Sequence, residues 1–124
     1  KVTNTLIDHG INSVGIMSND VNDYPEDSFE NMGRIAKKNK FSFPYLYDET
    51  QEIAKKYGAV CTPDFFGYNA SLELQYRGRL DATKMSASND DLEPELLNAM
   101  IEISQTGNGP TVQNASVGCS IKWK

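Results

Sequence analysis

Residues 57–66 read Tyr57-Gly58-Ala59-Val60-Cys61-Thr62-Pro63-Asp64-Phe65-Phe66, and this stretch decides the fold of the chain. Gly58 suits the C′ position of a short helix ending at Tyr57, because glycine adopts the left-handed conformation at little cost. Residues 65–68 predict a buried aromatic strand. Pro63 has no N–H for a ladder and therefore fits the first residue of a strand. The stretch thus predicts a helix, a bend that carries one of the two cysteines, and a strand.

Before this stretch, the spacing of apolar residues predicts helices and strands in alternation. Residues 1–9 predict the end of an amphipathic helix with Gly10 at C′. Residues 11–17 are apolar and β-branched, which predicts a buried parallel strand, and Ser18-Asn19-Asp20 follows at its carboxyl end. A second helix is predicted with Asp27 as N-cap and Glu30 at its third position. The apolar residues predicted for the buried face of that helix are Phe29, Met32, Ile35 and Ala36.

A short strand over residues 41–47 and a third helix complete the first half. Asp48 and Gln51 predict a capping box, in which Asp48 accepts a helical N–H and Gln51 reaches back. Asp48 as a general base is the less favoured interpretation, because capping already explains it. The third helix is predicted to bury Ile53, Ala54 and Tyr57.

After the stretch, residues 72–78 alternate apolar and polar side chains, which is typical of a half-buried strand. The short connection at residues 69–71 predicts an antiparallel hairpin with residues 65–68. A polar loop follows over residues 79–91. The apolar spacing from Leu92 to Ile103, with Pro94 in the first turn, predicts the last helix. We expect a domain over residues 1–107 and an extended C-terminal tail over residues 108–124.

The composition excludes several classes of function. The 124 residues carry a net charge of −5, which argues against broad nucleic-acid binding, since that requires clustered Lys and Arg. No apolar run approaches the ~20 residues that span a bilayer. The two cysteines, Cys61 and Cys119, are too few for a disulfide-built fold. They can pair with each other, although spacing alone does not establish this. One histidine and two distant cysteines lack the spacing of a zinc site, so no metal site is expected.

Several motifs in order resemble the peroxiredoxin-like branch of the alkyl hydroperoxide reductase/thiol-specific antioxidant family. These motifs are Ser18-Asn19-Asp20, Tyr24-Pro25-Glu26-Asp27, residues 43–51, Cys61-Thr62-Pro63-Asp64-Phe65-Phe66, Tyr76-Arg77-Gly78 and Gly118-Cys119-Ser120-Ile121-Lys122-Trp123-Lys124. The resemblance implies an α/β thioredoxin-like fold, with three α/β/α layers and a mixed sheet that ends in an antiparallel hairpin. Family members carry a first strand and a Cys-x-x-Cys-like segment upstream. We therefore expect this chain to be a redoxin that is incomplete at its N-terminus.

The resemblance also implies candidate site residues. Cys61 is the candidate resolving thiol for a sulfenic acid or mixed disulfide; a small buried hydrophobe is the alternative. The Thr62–Pro63 bond is expected to be cis and to present its backbone to a partner thiol or extended chain. Arg77 is a candidate to stabilise a thiolate or peroxide oxygen, or else a surface arginine. Independently of the resemblance, Asn19 and Asp20 are candidates for substrate contact, because ligands bind at the carboxyl ends of parallel strands; the alternative is a turn that their side chains fix.

The resulting hypothesis is a thiol-disulfide redox protein, either a thiol:disulfide oxidoreductase or a peroxiredoxin-like peroxidase in its full-length form. The alternatives are a catalytically inactive binding module, in which the proline groove holds an extended peptide, and a metal-delivery relative. No cofactor is implied. The expected partners are a peroxide or a thiol/disulfide protein and an unspecified reductant. A dimer or a missing N-terminal segment is expected to complete the sheet. Neither nucleic acid nor a membrane is expected as a partner, and the expected location is the cytoplasm, with export as the alternative.

Overall fold

The computed structural model describes residues 2–81 and 93–124, which fall into two compact units. The first unit comprises the described residues of 1–11 and 61–119, and the second unit comprises residues 12–60 and 120–124. The helices and strands, in chain order, are α1 (Val2–Asp8), β1 (Gly15–Met17), a 3₁₀ turn (Pro25–Asp27), α2 (Phe29–Lys38), β2 (Tyr45–Tyr47), α3 (Glu52–Tyr57), β3 (Cys61–Thr62), β4 (Phe65–Tyr68), β5 (Leu74–Gly78), α4 (Glu95–Thr106) and β6 (Cys119–Ser120).

The first unit is built on the predicted hairpin. Strands β4 and β5 pair antiparallel, with Phe65 opposite Gly78. Tyr76 of β5 is only 2% exposed and packs against α1 and α4, whose buried members are Leu6, Leu96, Ala99, Met100 and Ile103. This cluster confirms the predicted last helix within the described residues. Leu92 and most of the predicted polar loop (residues 82–91) lie outside them.

The second unit contains a parallel pair. Strand β1 pairs with β2 in the register Gly15 to Tyr45, Ile16 to Leu46 and Met17 to Tyr47. A Cβ at Gly15 would lie 2.9 Å from the ring of Phe43, so a larger residue there would require that ring to move. Both strands are shorter than predicted. Among the described residues, strands pair only two by two.

Two helix starts differ from the predictions. The N-cap of α2 is Ser28, whose Oγ accepts from the N–H of Asn31 at 3.2 Å. Asp27 cannot take this role because it belongs to the preceding 3₁₀ turn. Asp48 does cap α3, since its carboxylate accepts from the N–H groups of Ile53 at 3.3 Å and Ala54 at 3.0 Å. The side chain of Gln51, however, does not reach back to Asp48, and instead donates to the carbonyl oxygens of Ser18 and Lys122. Gln51 is the N-cap residue itself, with a left-handed backbone (φ 65°).

Part of the predicted core of the second unit is exposed. Met32 and Ala54 are buried as expected, but Phe29 is 65% exposed, and Ile35, Ile53 and Tyr57 are also exposed. The physical reason is the width of the sheet in this unit. Two strands of three residues each cannot cover the whole apolar face of each helix. No helix among the described residues has both the length and the apolarity needed to cross a membrane.

Candidate functional site

Cys61 lies in β3 of the first unit and is partly buried. Its thiol donates to the carbonyl oxygen of Ser116, with the sulfur 3.7 Å from that oxygen. Burial raises the pKa of the Cys61 thiol above its ordinary value, the nearby Asp64 carboxylate raises it further, and Arg77 opposes both effects. At neutral pH, Cys61 is therefore held mainly as the neutral thiol, which is a poor nucleophile.

Thr62 and Pro63 are exposed beside this thiol, and the peptide bond between them is cis. The hydroxyl of Thr62 donates to the carbonyl oxygen of Cys119 at 3.3 Å. Cys119 is itself exposed, and both cysteines are free thiols. The first unit thus presents an accessible stretch of backbone directly after a partly buried thiol.

Asp64, close to Cys61, contacts both Arg77 and Ser116. Its side chain is only 6% exposed, and its carboxylate lies 3.5 Å from the guanidinium of Arg77. The Oγ of Ser116 lies 2.9 Å from Asp64 Oδ1 and 2.5 Å from the carbonyl oxygen of Gly78. A hydroxyl has one proton, so Ser116 donates to only one of them at a time. Arg77 also lies over the ring of Phe66, 5.0 Å from its centroid.

Sequence reasoning missed the roles of Asp64 and Ser116. Asp64 stands in the quoted motif, but no pattern in the sequence indicates that its side chain becomes buried beside Arg77. Ser116 carries no signal either, because only the return of the tail within the first unit brings it to Asp64. The guanidinium of Arg77 contacts Asp64 and Phe66. Its role toward a thiolate or a peroxide oxygen remains a prediction.

Asn19 and Asp20, the other predicted site residues, belong to the second unit, where they hold the last residues of the chain. The side chain of Asn19 accepts from the N–H of Lys122 at 2.9 Å and donates to Asp27 at 3.0 Å. The N–H of Asp20 donates to the carbonyl oxygen of Lys122 at 2.7 Å. Their proposed contact with substrate remains a prediction.

A buried polar cluster near these residues was not anticipated. Ser18 Oγ donates to the Asp48 carboxylate at 2.8 Å. Burial raises the pKa of Asp48, but hydrogen bonds from Ala54 N–H, Ser18 Oγ and Ile53 N–H outweigh it and leave the pKa below its ordinary value. No group of three or more His, Cys, Asp or Glu side chains in residues 2–81 and 93–124 is arranged to hold a metal ion.

Comparison with known proteins identifies relatives of this chain. The model of the AhpC/TSA family matches residues 1–83. Two solved structures are similar: an uncharacterized conserved protein from Geobacillus kaustophilus (43% identity, TM-score 0.88) and a hypothetical protein from Sinorhizobium meliloti 1021 (36% identity, TM-score 0.87). The alignments cover 99% and 98% of this chain but 65% and 66% of those two proteins, so the chain spans just under two thirds of their length. No curated protein matches the chain.

These matches confirm the resemblance at the level of family and fold. The TM-score of 0.88 over 99% of this chain shows that its fold agrees with that of the Geobacillus kaustophilus protein. The match to the family supports a redox-related, thioredoxin-like function in general. The chain therefore belongs to the AhpC/TSA family and has a thioredoxin-like α/β fold.

Proposed function

We propose that this chain is part of a thiol-disulfide redox protein, an oxidoreductase or antioxidant, in which Cys61 is the resolving thiol. The observation that carries the proposal is the position of Cys61, partly buried and directly followed by the exposed Thr62 and Pro63. An extended partner chain that lies along Thr62 and Pro63 brings its own sulfur toward Cys61. In this proposal, Cys61 does not react with the peroxide or the first disulfide. It reacts afterwards, as the thiol that attacks an oxidised sulfur of its partner.

The proposed step is a displacement at sulfur. The Cys61 thiolate attacks the sulfur of a sulfenic acid, forming an S–S bond as the S–O bond breaks, and the proton of the Cys61 thiol and the hydroxyl leave as water. With a disulfide partner, the same attack forms a mixed disulfide and expels the second sulfur as a thiolate. A dithiol reductant then returns Cys61 to the thiol and is itself oxidised to the disulfide.

The raised pKa of Cys61 fits a thiol that is protected until a partner arrives. Desolvation is the largest contribution, followed by the Asp64 carboxylate. A partner that neutralises Asp64 or places a cation beside it makes the thiolate more stable. A single compact region thus holds the thiol, the carboxylate that suppresses its ionisation and the exposed backbone that receives a partner.

A binding module without thiol chemistry is the second candidate function. The observation that favours it is the partial burial of Cys61, which raises the pKa of the thiol, since a thiol that remains protonated reacts slowly. In that function, the exposed backbone of Thr62 and Pro63 holds an extended peptide, and Cys61 serves only as a small buried side chain.

The test uses the full chain in two matched variants, Cys119→Ser, which leaves Cys61 as the only thiol, and Cys61→Ser, which leaves Cys119. Each is mixed with a short cysteine peptide carried as its mixed disulfide with thionitrobenzoate, and with dithiobis-nitrobenzoate alone. We expect Cys119→Ser to form a one-to-one mixed disulfide with the peptide and to react faster with the peptide disulfide than with the small reagent. We expect no such preference from Cys61→Ser.

Two results would decide against the redox role. If Cys119→Ser shows no preference for the peptide disulfide, Cys61 does not receive a partner sulfur. If the peptide binds reversibly to both variants while the thiol remains titratable, the chain is a binding module. Circular dichroism spectra of both variants that match the unsubstituted chain exclude misfolding as the cause.

A further inference from the structure

The last five residues of the chain, which we call the C-terminal segment (residues 120–124), pack with the second unit. The other described residues after residue 60, which are 61–81 and 93–119, belong to the first unit. A short piece of chain thus completes a unit from which it is separated by about sixty residues of sequence. Exchange of such an element between two copies requires no new contacts, because the same bonds form with the same partners.

The second unit recognises this segment mainly through its main chain. The N–H of Ile121 donates to the carbonyl oxygen of Val60 at 3.0 Å. Around Lys122, the carbonyl oxygen accepts from Asp20 N–H at 2.7 Å and from Gln51 Nε2 at 2.9 Å, while its N–H donates to Asn19. The N–H of Lys124 donates to Gln51 Oε1 at 3.1 Å. We call the residues that make these contacts the tail groove; they are Asn19, Asp20, Gln51 and Val60.

The side chains of the C-terminal segment make further contacts, which alternate along the segment. Ile121 is buried at 5% exposure, whereas Trp123 is 41% exposed and lies under the ammonium of Lys55, 5.6 Å from the ring centroid. Lys122 lies between them in sequence and reaches the ring of Tyr24, 5.7 Å away. Main-chain hydrogen bonds that hold an extended segment, with specificity from alternate side chains, are the features of strand-type peptide recognition.

We propose that the tail groove is a peptide-binding site, whose ligand is the C-terminal segment, and that the segment of a second copy of this chain takes the same place. Release of the segment exposes mainly two side chains, the buried Ile121 and the covered part of Trp123. The tail groove therefore binds an apolar, a cationic and an aromatic residue in succession, which in this chain are Ile121, Lys122 and Trp123. This role does not involve the thiol of Cys61.

The experiment uses Trp123 as its probe, because it is the only tryptophan of the chain. The peptide acetyl-Gly-Ser-Ser-Ile-Lys-Trp-Lys reproduces residues 118–124 with serine in place of Cys119. The full chain with Trp123→Phe serves as a tryptophan-free host, and the full chain with Ile121→Ser and Trp123→Phe serves as a host with a weakened segment of its own. Binding is measured from the fluorescence anisotropy of the peptide.

We expect saturable binding to the weakened host, about tenfold tighter than to the Trp123→Phe host, whose own segment competes. Adding Asn19→Ala to the weakened host is expected to lower the affinity about tenfold, since it removes an acceptor of the segment. A peptide with aspartate at the isoleucine position is the matched control and is expected not to bind. Absence of saturable binding to a weakened host whose circular dichroism spectrum is unchanged would overturn the proposal.

A second measurement leaves the host unsubstituted and so does not depend on how variants fold. The peptide with phenylalanine in place of tryptophan is added to the unsubstituted chain, and acrylamide quenching of Trp123 is followed. Displacement of the segment makes Trp123 more accessible, so we expect the quenching constant to rise and saturate with added peptide. A quenching constant that does not change with peptide would show that the segment is a permanent part of the unit and would also overturn the proposal.

Discussion

The side-chain amide of Gln51 donates a hydrogen bond of 2.9 Å to the carbonyl oxygen of Lys122, which lies 71 residues further along the chain. The same nitrogen donates to the carbonyl oxygen of Ser18 at 2.7 Å, and Gln51 is only 2% exposed. Its backbone is left-handed (φ 65°), a conformation that non-glycine residues seldom adopt. The buried amide of Gln51 therefore links Ser18, which directly follows β1, to Lys122 of the C-terminal segment by hydrogen bonds.

We expect Gln51→Glu to destabilise the chain strongly. The carboxylate has no proton to donate, so two buried carbonyl oxygens lose their donor and face a negative charge. The expected loss in the free energy of unfolding is on the order of 3 kcal/mol. Urea denaturation followed by circular dichroism measures it. Glu49→Gln, which changes an exposed neighbour, is the control and is expected to have little effect. An unchanged denaturation midpoint in Gln51→Glu would contradict the assignment.

Asp48 is expected to make the stability of the chain depend on pH in the acid range. Its folded-state pKa is lowered because the three hydrogen bonds to its carboxylate outweigh burial. Its stabilising contribution is therefore present above the unfolded pKa of about 4 and is lost as pH falls through the folded-state pKa.

Asp48→Asn removes this titration, so we expect a variant that is less stable at neutral pH and whose stability depends less on pH below 4. Thermal unfolding between neutral and acid pH measures the difference. Ser18→Ala removes one of the three hydrogen bonds. We expect the pH dependence of its stability to be intermediate between those of Asp48→Asn and the unsubstituted chain. Parallel pH profiles for the unsubstituted chain and Asp48→Asn would refute the explanation.

The reactivity of Cys61 is expected to respond in opposite directions to its two charged neighbours. Asp64→Asn removes a charge that raises the pKa of Cys61, so the thiolate forms at lower pH. Arg77→Gln removes the charge that lowers it, so the thiolate forms at higher pH. Alkylation by iodoacetamide as a function of pH, in a Cys119→Ser background, measures both shifts. Shifts in the same direction would show that the charges do not control this thiol.

Burial of Cys61 also has a consequence for stability. Its pKa is raised in the folded state, so its contribution to stability is complete below the unfolded pKa and is lost as pH rises through the folded-state pKa. Cys61→Ala in the Cys119→Ser background should therefore flatten the decline of stability above pH of about 8.5. Urea denaturation at a series of alkaline pH values provides the measurement.

Two glycines are expected to respond oppositely to substitution by alanine. At Gly118, a Cβ would lie 2.9 Å from the carbonyl carbon of Thr62. The backbone must therefore shift, and we expect a loss of about 1–3 kcal/mol. At Gly33, inside α2, a Cβ would meet nothing within 4 Å, so alanine should stabilise the helix by about 0.5–1 kcal/mol. Urea denaturation of both variants measures the difference. Equal effects would contradict the described packing at Thr62.

The sequence by itself determined the elements whose signals are local. The helical spacing around Leu96, Met100 and Ile103 and the C′ glycines Gly10 and Gly58 are found where they were predicted. The strand β5 is found over residues 74–78, whereas Leu72, which was predicted to begin it, lies outside the strand with a left-handed backbone. Such signals depend on a few neighbouring residues and on backbone geometry, which a sequence displays directly. The motifs around Cys61 also sufficed to indicate the family, because their order and spacing are specific.

Only the tertiary structure decided which polar and apolar side chains acquired partners. Gln51 has the spacing of a capping-box residue, yet its amide serves Ser18 and Lys122, because the chain returns there after residue 119. Phe29 has the spacing of a core residue but is exposed beside a narrow sheet. Burial and long-range hydrogen bonds depend on residues that are distant in sequence. A local pattern predicts the helix or strand that presents a side chain, and the folded chain determines what that side chain meets.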